Sequence, residues 1–193
     1  MKIKLYFALL CIFLSFSMKA QELAVKTNLL SSVSATVNVG LEMGLFDKWT
    51  LDMSGSFNGW STSGVKKWKH WMVQPEVRHW LCDKYSGHFW GFHLHGGQYN
   101  MGGLNNSIQF LDTDFSQLAH YRYQGWFAGA GVAYGYAWIL GRHWNLEAEI
   151  GLGYSYTRYD KFECAGCGEK VEEDRTHHYM GPTKAALNLI YVF

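Results

Sequence analysis

The sequence predicts an all-β protein: an eight-stranded antiparallel up-and-down transmembrane β-barrel that follows an N-terminal signal peptide. Three observations lead to this fold. Aromatic residues make up 17% of the 193-residue chain and 21 residues are glycine, whereas only 2 are proline and 17% are charged. Apolar residues alternate with polar or small ones along most of the chain, and long connections follow short ones. Strands that are apolar on one face only are typical of this architecture.

The first twenty residues have the organisation of a secretory signal peptide. Lys2 and Lys4 form a basic start, residues 5–16 are an apolar run, and Ala20 is a small residue at the expected cleavage position. A run of about 12 apolar residues is too short to span a bilayer. We therefore predict a signal peptide at 1–20, one barrel domain at 21–193 and export to an outer membrane.

Eight segments alternate in the way expected of membrane-crossing β-strands. In the clearest one, residues 122–139, the glycines occupy odd positions and the bulky residues occupy even positions. A helix would scatter these two groups around its circumference, whereas a strand places them on opposite faces. Each segment reaches the roughly 9–11 residues that a spanning strand needs. The predicted strands are residues 23–32, 35–46, 49–60, 69–81, 88–99, 122–139, 143–157 and 179–193.

The connections between these segments predict an orientation. The short ones are residues 46–48, 82–87 and 140–142, and the long ones are residues 60–67, 101–121 and 158–178, with a further short one near 31–34. Outer-membrane barrels have short periplasmic turns and longer outer loops, which places both chain ends on the periplasmic side. A soluble lipocalin-like barrel is the competing fold, but it would turn its apolar side chains inward. Here the face opposite the apolar one carries the charges, which favours the membrane barrel.

The polar face of the strands is therefore predicted to line the interior. Its candidate residues are Lys26, Glu42, Asp52, Glu76, Arg78, His93, His95, Glu147, Glu149 and Lys184. The interior of an eight-stranded barrel is only just wide enough for side chains. We expect these groups to pack as an ion-paired, hydrogen-bonded network that fills a non-conducting lumen. A proton or ion path along the same residues is the alternative.

Histidines and cysteines suggest further sites. His93 and His95 share one strand face and, with Glu42 or Glu147, could bind a metal ion, but we expect ordinary interior histidines and no cofactor. Cys164 and Cys167 are predicted to form a small disulfide in the last long loop. Free thiols, or a zinc site completed by His177 and His178, remain open for that pair. Cys82 falls in a turn at the opposite end and cannot reach them.

Several short motifs spread over the mature chain carry a family resemblance. They are Val25–Leu30, Asn38–Glu42, Lys48–Asp52, Trp68–Trp71 with Gln74–Glu76, Arg122–Trp126, Arg142–Glu147 and Gly181–Lys184. In these motifs the chain resembles a Bacteroidota family of secreted proteins of unknown function that are often encoded near fimbrial subunit genes. The resemblance implies an outer-membrane β-barrel and no established activity. The end of the chain, at Phe193, also resembles the signal that the barrel-assembly machinery reads.

These patterns predict a small non-enzymatic outer-membrane barrel that is structural or binds a partner through its extracellular loops. Outer-membrane lipid, the barrel-assembly machinery and an envelope or fimbrial protein are the expected partners. A formal net charge of +1 gives no support for a nucleic-acid partner. An envelope enzyme acting on lipid A or another lipid is one alternative, with Ser61, Ser63 and His70 as candidates that no motif orders into a triad. A narrow pore is the other.

Overall fold

The computed structural model describes residues 23–62, 66–103, 109–110, 113–114, 121–164 and 168–193. The predicted signal peptide, residues 1–20, lies outside the described residues. Within the described part of the chain, no helix combines the length and the apolar character needed to cross a membrane.

The described chain consists almost entirely of β-strands. In chain order the elements are β1 (Leu23–Asn28), α1 (Leu29–Val33), β2 (Val37–Phe46), β3 (Trp49–Asn58), β4 (Ser61–Thr62), β5 (Lys66–Trp80), β6 (Gly87–Gly102), β7 (Gln109–Phe110), β8 (Thr113–Asp114), β9 (Arg122–Ile139), β10 (Trp144–Phe162) and β11 (Lys170–Val192).

Eight of these strands form a closed antiparallel ring. The order around the ring is β3, β2, β1, β11, β10, β9, β6 and β5, and pairing between β3 and β5 closes it. The closing pair runs from Trp49 opposite His79 to Asn58 opposite His70. The two-residue β4 extends the edge of β5, and β7 pairs only with β8. The predicted all-β, eight-stranded antiparallel class is therefore confirmed.

The two ends of the ring differ, and we call them the turn end and the loop end. The turn end holds the three short connections, after β2, β5 and β9, together with both ends of the described chain. There the Phe193 backbone N–H donates to the carbonyl of Leu23 (2.9 Å), and that of Val192 donates to His143 (2.8 Å). The longer connections lie at the loop end. Closing hydrogen bonds at the turn end leave no free edge where the chain begins and ends.

Side chains around the ring are distributed in the opposite way from those of a soluble protein. Along β9, Ala133 and Ala137 are each 2% exposed, whereas Val132, Tyr134 and Trp138 on the other phase are 56%, 37% and 45% exposed. Eight charged side chains of the strands are buried, whereas many large apolar side chains of the same strands are exposed. Because successive side chains of a strand point to opposite faces, one phase of each strand lines the interior and the other covers the outside.

Small residues on the inner phase make room for large ones on the neighbouring strand. A Cβ atom at Gly131 on β9 would lie 2.7 Å from Nε2 of His93 and 2.6 Å from the carbonyl oxygen of Leu152. These distances are shorter than van der Waals contact allows, so only glycine fits beside the ring of His93. The regular glycines of β9 thus reflect interior packing.

The prediction of a first strand at residues 23–32 is wrong over residues 29–32. The strand ends at Asn28, and Leu29–Val33 form one turn of helix instead of continuing to residue 32. Asn28 is the N-cap of that turn, since its side-chain oxygen accepts from the backbone N–H of Leu30 (3.0 Å). Its Nδ2 also donates to Ala185 of β11 (3.2 Å). The strand β1 is therefore shorter than a spanning strand, and α1 lies between β2 and β11 at the loop end.

The prediction of a long loop at residues 158–178 is also wrong. Strand β10 continues to Phe162 and β11 begins at Lys170, and their pairing runs from Arg158 opposite Thr176 to Phe162 opposite Lys170. We call this extension, residues 158–162 and 170–176, the ribbon. Apolar alternation is missing there because polar side chains occupy both faces, although the backbone pairing continues. The other predicted long loop, 101–121, lies mostly outside the described residues.

We expect Gly131→Ala to lower the free energy of unfolding by about 1–3 kcal/mol, because the new methyl group overpacks the interior against His93. Gly141→Ala is the matched control, since a Cβ atom at this turn position meets nothing within 4 Å among the described residues. Denaturant titration of the folded barrel, followed by tryptophan fluorescence, measures both. Equal stability of the two variants would contradict the packing argument.

Candidate functional site

The inner phase of the strands builds one buried layer of charged side chains. All ten residues predicted to line the interior are buried, with relative exposures from 0% to 9%. They come from β1, β2, β3, β5, β6, β10 and β11, so the layer crosses the interior from one side of the ring to the other. The eight charged members, Lys26, Glu42, Asp52, Glu76, Arg78, Glu147, Glu149 and Lys184, form one connected set of ion pairs.

Arg78 lies at the centre of this layer. Its guanidinium group contacts all five carboxylates of the layer. The distances are 2.6 Å to Glu76, 2.7 Å to Glu149, 2.9 Å to Glu42, 2.9 Å to Glu147 and 3.4 Å to Asp52. A planar fork of five N–H donors can serve several carboxylates at once, which a lysine ammonium cannot do in the same geometry.

Two lysines pair with carboxylates that also contact Arg78. Nζ of Lys26 lies 2.6 Å from Glu42 and 3.1 Å from Asp52. Nζ of Lys184 lies 2.7 Å from Glu76 and 3.0 Å from Glu149. Both ammonium groups are thus already engaged by carboxylates within the layer. Formal charges still leave five carboxylates against three cations.

Neutral side chains that the sequence analysis did not single out complete the layer. Thr50 donates to Glu42 (2.6 Å), Asn188 donates to Glu147 (2.7 Å), and the indole N–H of Trp80 donates to Thr50 (3.0 Å). Each stands two or four positions from a predicted interior residue on the same strand. The alternation of residues therefore also predicts that these three side chains face the interior. The sequence analysis selected charged residues and histidines, so it did not name them.

Apolar side chains fill the interior of the ring between the charged layer and the turn end. Trp80, Phe89 and Ile190 are fully buried there, with Ala24, Tyr85 and Ala137 packed around them. The ring of Phe89 lies 4.6 Å from that of Trp80 and 4.5 Å from the guanidinium carbon of Arg78. This turn-end half of the lumen is consequently filled by side chains.

The described residues leave a cavity in the loop-end half of the lumen. A cavity of about 880 Å³ extends from Lys26, Asp52 and Lys184 of the charged layer toward Trp68 and Tyr159 near the loop end. The sequence predicted a filled lumen, and this half of the lumen instead holds a cavity among the described residues. At this level β1 has ended at Asn28, and α1, which has no buried residue, contributes Ser31 to the cavity lining.

The histidine pair lies beside the charged layer. Nε2 of His93 forms a 2.9 Å hydrogen bond with the hydroxyl of Thr183, and its Nδ1 lies 3.8 Å from Glu76. The ring of His95 lies 5.7 Å from that of His93. The neighbouring carboxylate is thus that of Glu76. Within the described residues, no group of three or more His, Cys, Asp or Glu side chains is arranged to hold a metal ion.

Cys164 and Cys82 lie at opposite ends of the ring. Cys164 is disulfide-bonded, and Cys167 lies outside the described residues, so the predicted pairing of these two stays a prediction. Cys82, in the turn after β5, is free and exposed. Of the residues considered for an enzyme, His70 lies on β5 and lines the cavity, whereas Ser63 lies outside the described residues.

Ion pairs organise the exposed ribbon. Arg158 pairs with Asp174 across its two strands, and Lys170 lies 3.0 Å from Asp160. The hydrogen bond from Arg158 lowers the pKa of Asp174, and the backbone N–H of Asp174 lowers the pKa of Asp160. Both carboxylates therefore stay charged at neutral pH, and the ribbon presents fixed charges of both signs.

Comparison with known proteins gives a family match. The family model described as "Protein of unknown function (DUF3575)" matches residues 6–193, which is nearly the whole chain. No curated protein and no solved structure matches the chain significantly.

We expect Arg78→Leu to lower the free energy of unfolding by about 3–5 kcal/mol, because it leaves buried carboxylates without their shared counter-ion. Arg158→Leu is the matched control. It removes the same side chain from an exposed ion pair, and should leave the unfolding midpoint nearly unchanged. Denaturant titration with heat-modifiable gel mobility as a second readout compares them. A similar loss in both variants would contradict the central role of Arg78.

Proposed function

The chain belongs to the DUF3575 family of proteins of unknown function, and we propose that it is a non-enzymatic, non-conducting outer-membrane β-barrel that binds an envelope partner through its loop end. The observation that carries this proposal is the charged layer centred on Arg78, which closes the lumen and leaves the loop end as the accessible side.

The outer surface of the ring supports a membrane location. Large apolar side chains are exposed on every long strand of the ring. Examples are Leu41, Met53, Val73, Phe92, Val132, Ile150, Leu152 and Met180. A water-soluble protein rarely exposes apolar surface on this scale, whereas lipid stabilises it. A closed ring also satisfies the strand hydrogen bonds that lipid cannot satisfy.

The turn end is the proposed periplasmic side. Short turns face the periplasm in outer-membrane barrels, and long connections face outward. Three tryptophans are exposed near the turn end, where an aromatic girdle at the membrane interface would lie, namely Trp49, Trp138 and Trp144. Phe193 is 67% exposed at that end, which is compatible with its proposed contact with the barrel-assembly machinery.

Two packed layers support a barrel that does not conduct. An ion entering the lumen would have to displace the charged layer and then the apolar cluster of Trp80, Phe89 and Ile190. Breaking a network of buried, paired charges is costly. The pore alternative therefore has the weaker support.

The ribbon is the proposed surface for the partner. It extends the wall beyond the length needed to span a membrane, since β11 has 23 residues and β10 has 19. Ion pairs hold its two strands, and the outer edge of residues 170–176 has no strand neighbour among the described residues. An exposed edge can accept a strand from another protein by continuing the sheet. An envelope or fimbrial protein is the partner class that we propose.

We expect the purified protein to migrate faster on unboiled than on boiled dodecyl sulfate gels, and to show no steady conductance in planar bilayers. The first result follows from a closed barrel and the second from the packed turn-end half. A general porin recorded under the same conditions is the positive control. Steady unitary conductance would overturn the non-conducting part of the proposal, and complete extraction by carbonate would overturn the membrane part.

We expect replacement of residues 160–173 by a short turn to abolish capture of the envelope partner from outer-membrane extracts, because this removes the outer part of the ribbon. A second variant, Asp47→Asn in the turn after β2, leaves the loop end intact and should retain capture. Cross-linking before extraction and mass spectrometry of captured proteins provide the measurement. An unchanged set of captured proteins after ribbon replacement would show that the ribbon is not the binding surface.

A further inference from the structure

The loop-end cavity has the size and the walls of a small-molecule site. Its volume of about 880 Å³ falls within the range of ligand pockets, roughly 300–1,000 Å³. Aromatic side chains from five strands line it, namely Trp68, Tyr99, Tyr123, Phe127, Tyr159 and Tyr179. Such walls suit an apolar or aromatic body better than a strongly hydrated one.

Two polar atoms at the base of the cavity have no hydrogen-bond partner among the described residues. They are Oδ1 of Asp52 and Nε2 of Gln74. Both residues line the cavity, and their relative exposures are 1% and 4%. They lie on paired strands, since Gln74 of β5 stands opposite Ser54, two positions along β3 from Asp52. A buried acceptor and a buried donor without partners are costly unless a bound group satisfies them.

The charge of the layer selects the sign of that group. Five carboxylates face three cations, and the two lysines that line the cavity already contact carboxylates within 3.1 Å. An added anion would meet these carboxylates without a free cation to bind it, whereas an added cation would offset the excess negative charge. Asp52 lines the cavity, and its Oδ1 is a buried carboxylate oxygen without a hydrogen-bond partner among the described residues.

We propose that this cavity binds a small organic amine with an apolar, preferably aromatic, body. The protonated amino group donates to Oδ1 of Asp52, the apolar body packs against the aromatic wall, and Nε2 of Gln74 donates to a hydroxyl or carbonyl oxygen next to the amine. The proposed site depends only on the cavity and its base. It therefore goes beyond the proposed partner binding and is tested independently of it.

The test is a titration of three probes into the full protein in lipid nanodiscs, with protein-free nanodiscs as the blank. The probes are 2-phenylethylamine, 2-phenylethanol and 3-phenylpropanoate, which share an aromatic body and carry a cationic, a neutral and an anionic head. We expect the amine to bind at least about tenfold more tightly than the alcohol, and the carboxylate more weakly than both. Equal affinities, absence of amine binding or preference for the carboxylate would each overturn the proposal.

Variants locate the binding within the cavity. Asp52→Asn should reduce the affinity for the amine about tenfold and leave that for the alcohol nearly unchanged. Asp47→Asn, the same change at an exposed turn residue, should alter neither. If Asp52→Asn does not fold, Ser54→Trp serves instead, because it fills the cavity one inward position along β3 without removing a charge and should abolish binding of the amine. Retention of the amine preference in a folded Asp52→Asn or Ser54→Trp variant would place the site elsewhere and overturn the assignment.

Discussion

A single buried guanidinium group, that of Arg78, links the wall of this barrel across its interior. It lies on β5 and contacts carboxylates that β2, β3, β5 and β10 contribute. These carboxylates would repel one another in a low-dielectric interior without a shared counter-ion. The closed ring brings them close enough to share Arg78, and Arg78 makes their burial tolerable. Closure of the ring and charge compensation in the lumen are therefore mutually dependent.

This dependence divides the molecule into two halves. Toward the turn end, the charged layer rests on Trp80, Phe89 and Ile190, and the interior is packed. Toward the loop end, β1 stops at Asn28 and the interior opens into a cavity. The packed half is the basis of the proposed non-conducting barrel, and the other half holds a cavity with a charged base and aromatic walls. The proposed amine site and the proposed partner surface on the ribbon both lie on the loop-end side.

Much of the fold and of the charged layer could be predicted from the alternation of residues. Period two placed the residues from Lys26 to Lys184 on the inner face because each strand keeps the same phase along its length. The alternation did not predict three features. They are α1, where the side chain of Asn28 accepts a hydrogen bond from a backbone N–H, the ribbon, where both faces are polar, and the cavity in the loop-end half of the lumen. Neither a local cap nor pairing between two polar strands produces an apolar repeat.

The sequence by itself determined the strand class, the number of strands in the ring and which face of each strand turns inward. It did so because the outward face is apolar and the inward face is polar or small, and this alternation recurs in each strand. Only the tertiary structure decided that Arg78 contacts five carboxylates, that Asp52 and Gln74 each retain an unpartnered atom among the described residues, and that the lumen is open in one half. These features depend on the register and curvature with which distant strands meet, and no local pattern encodes them.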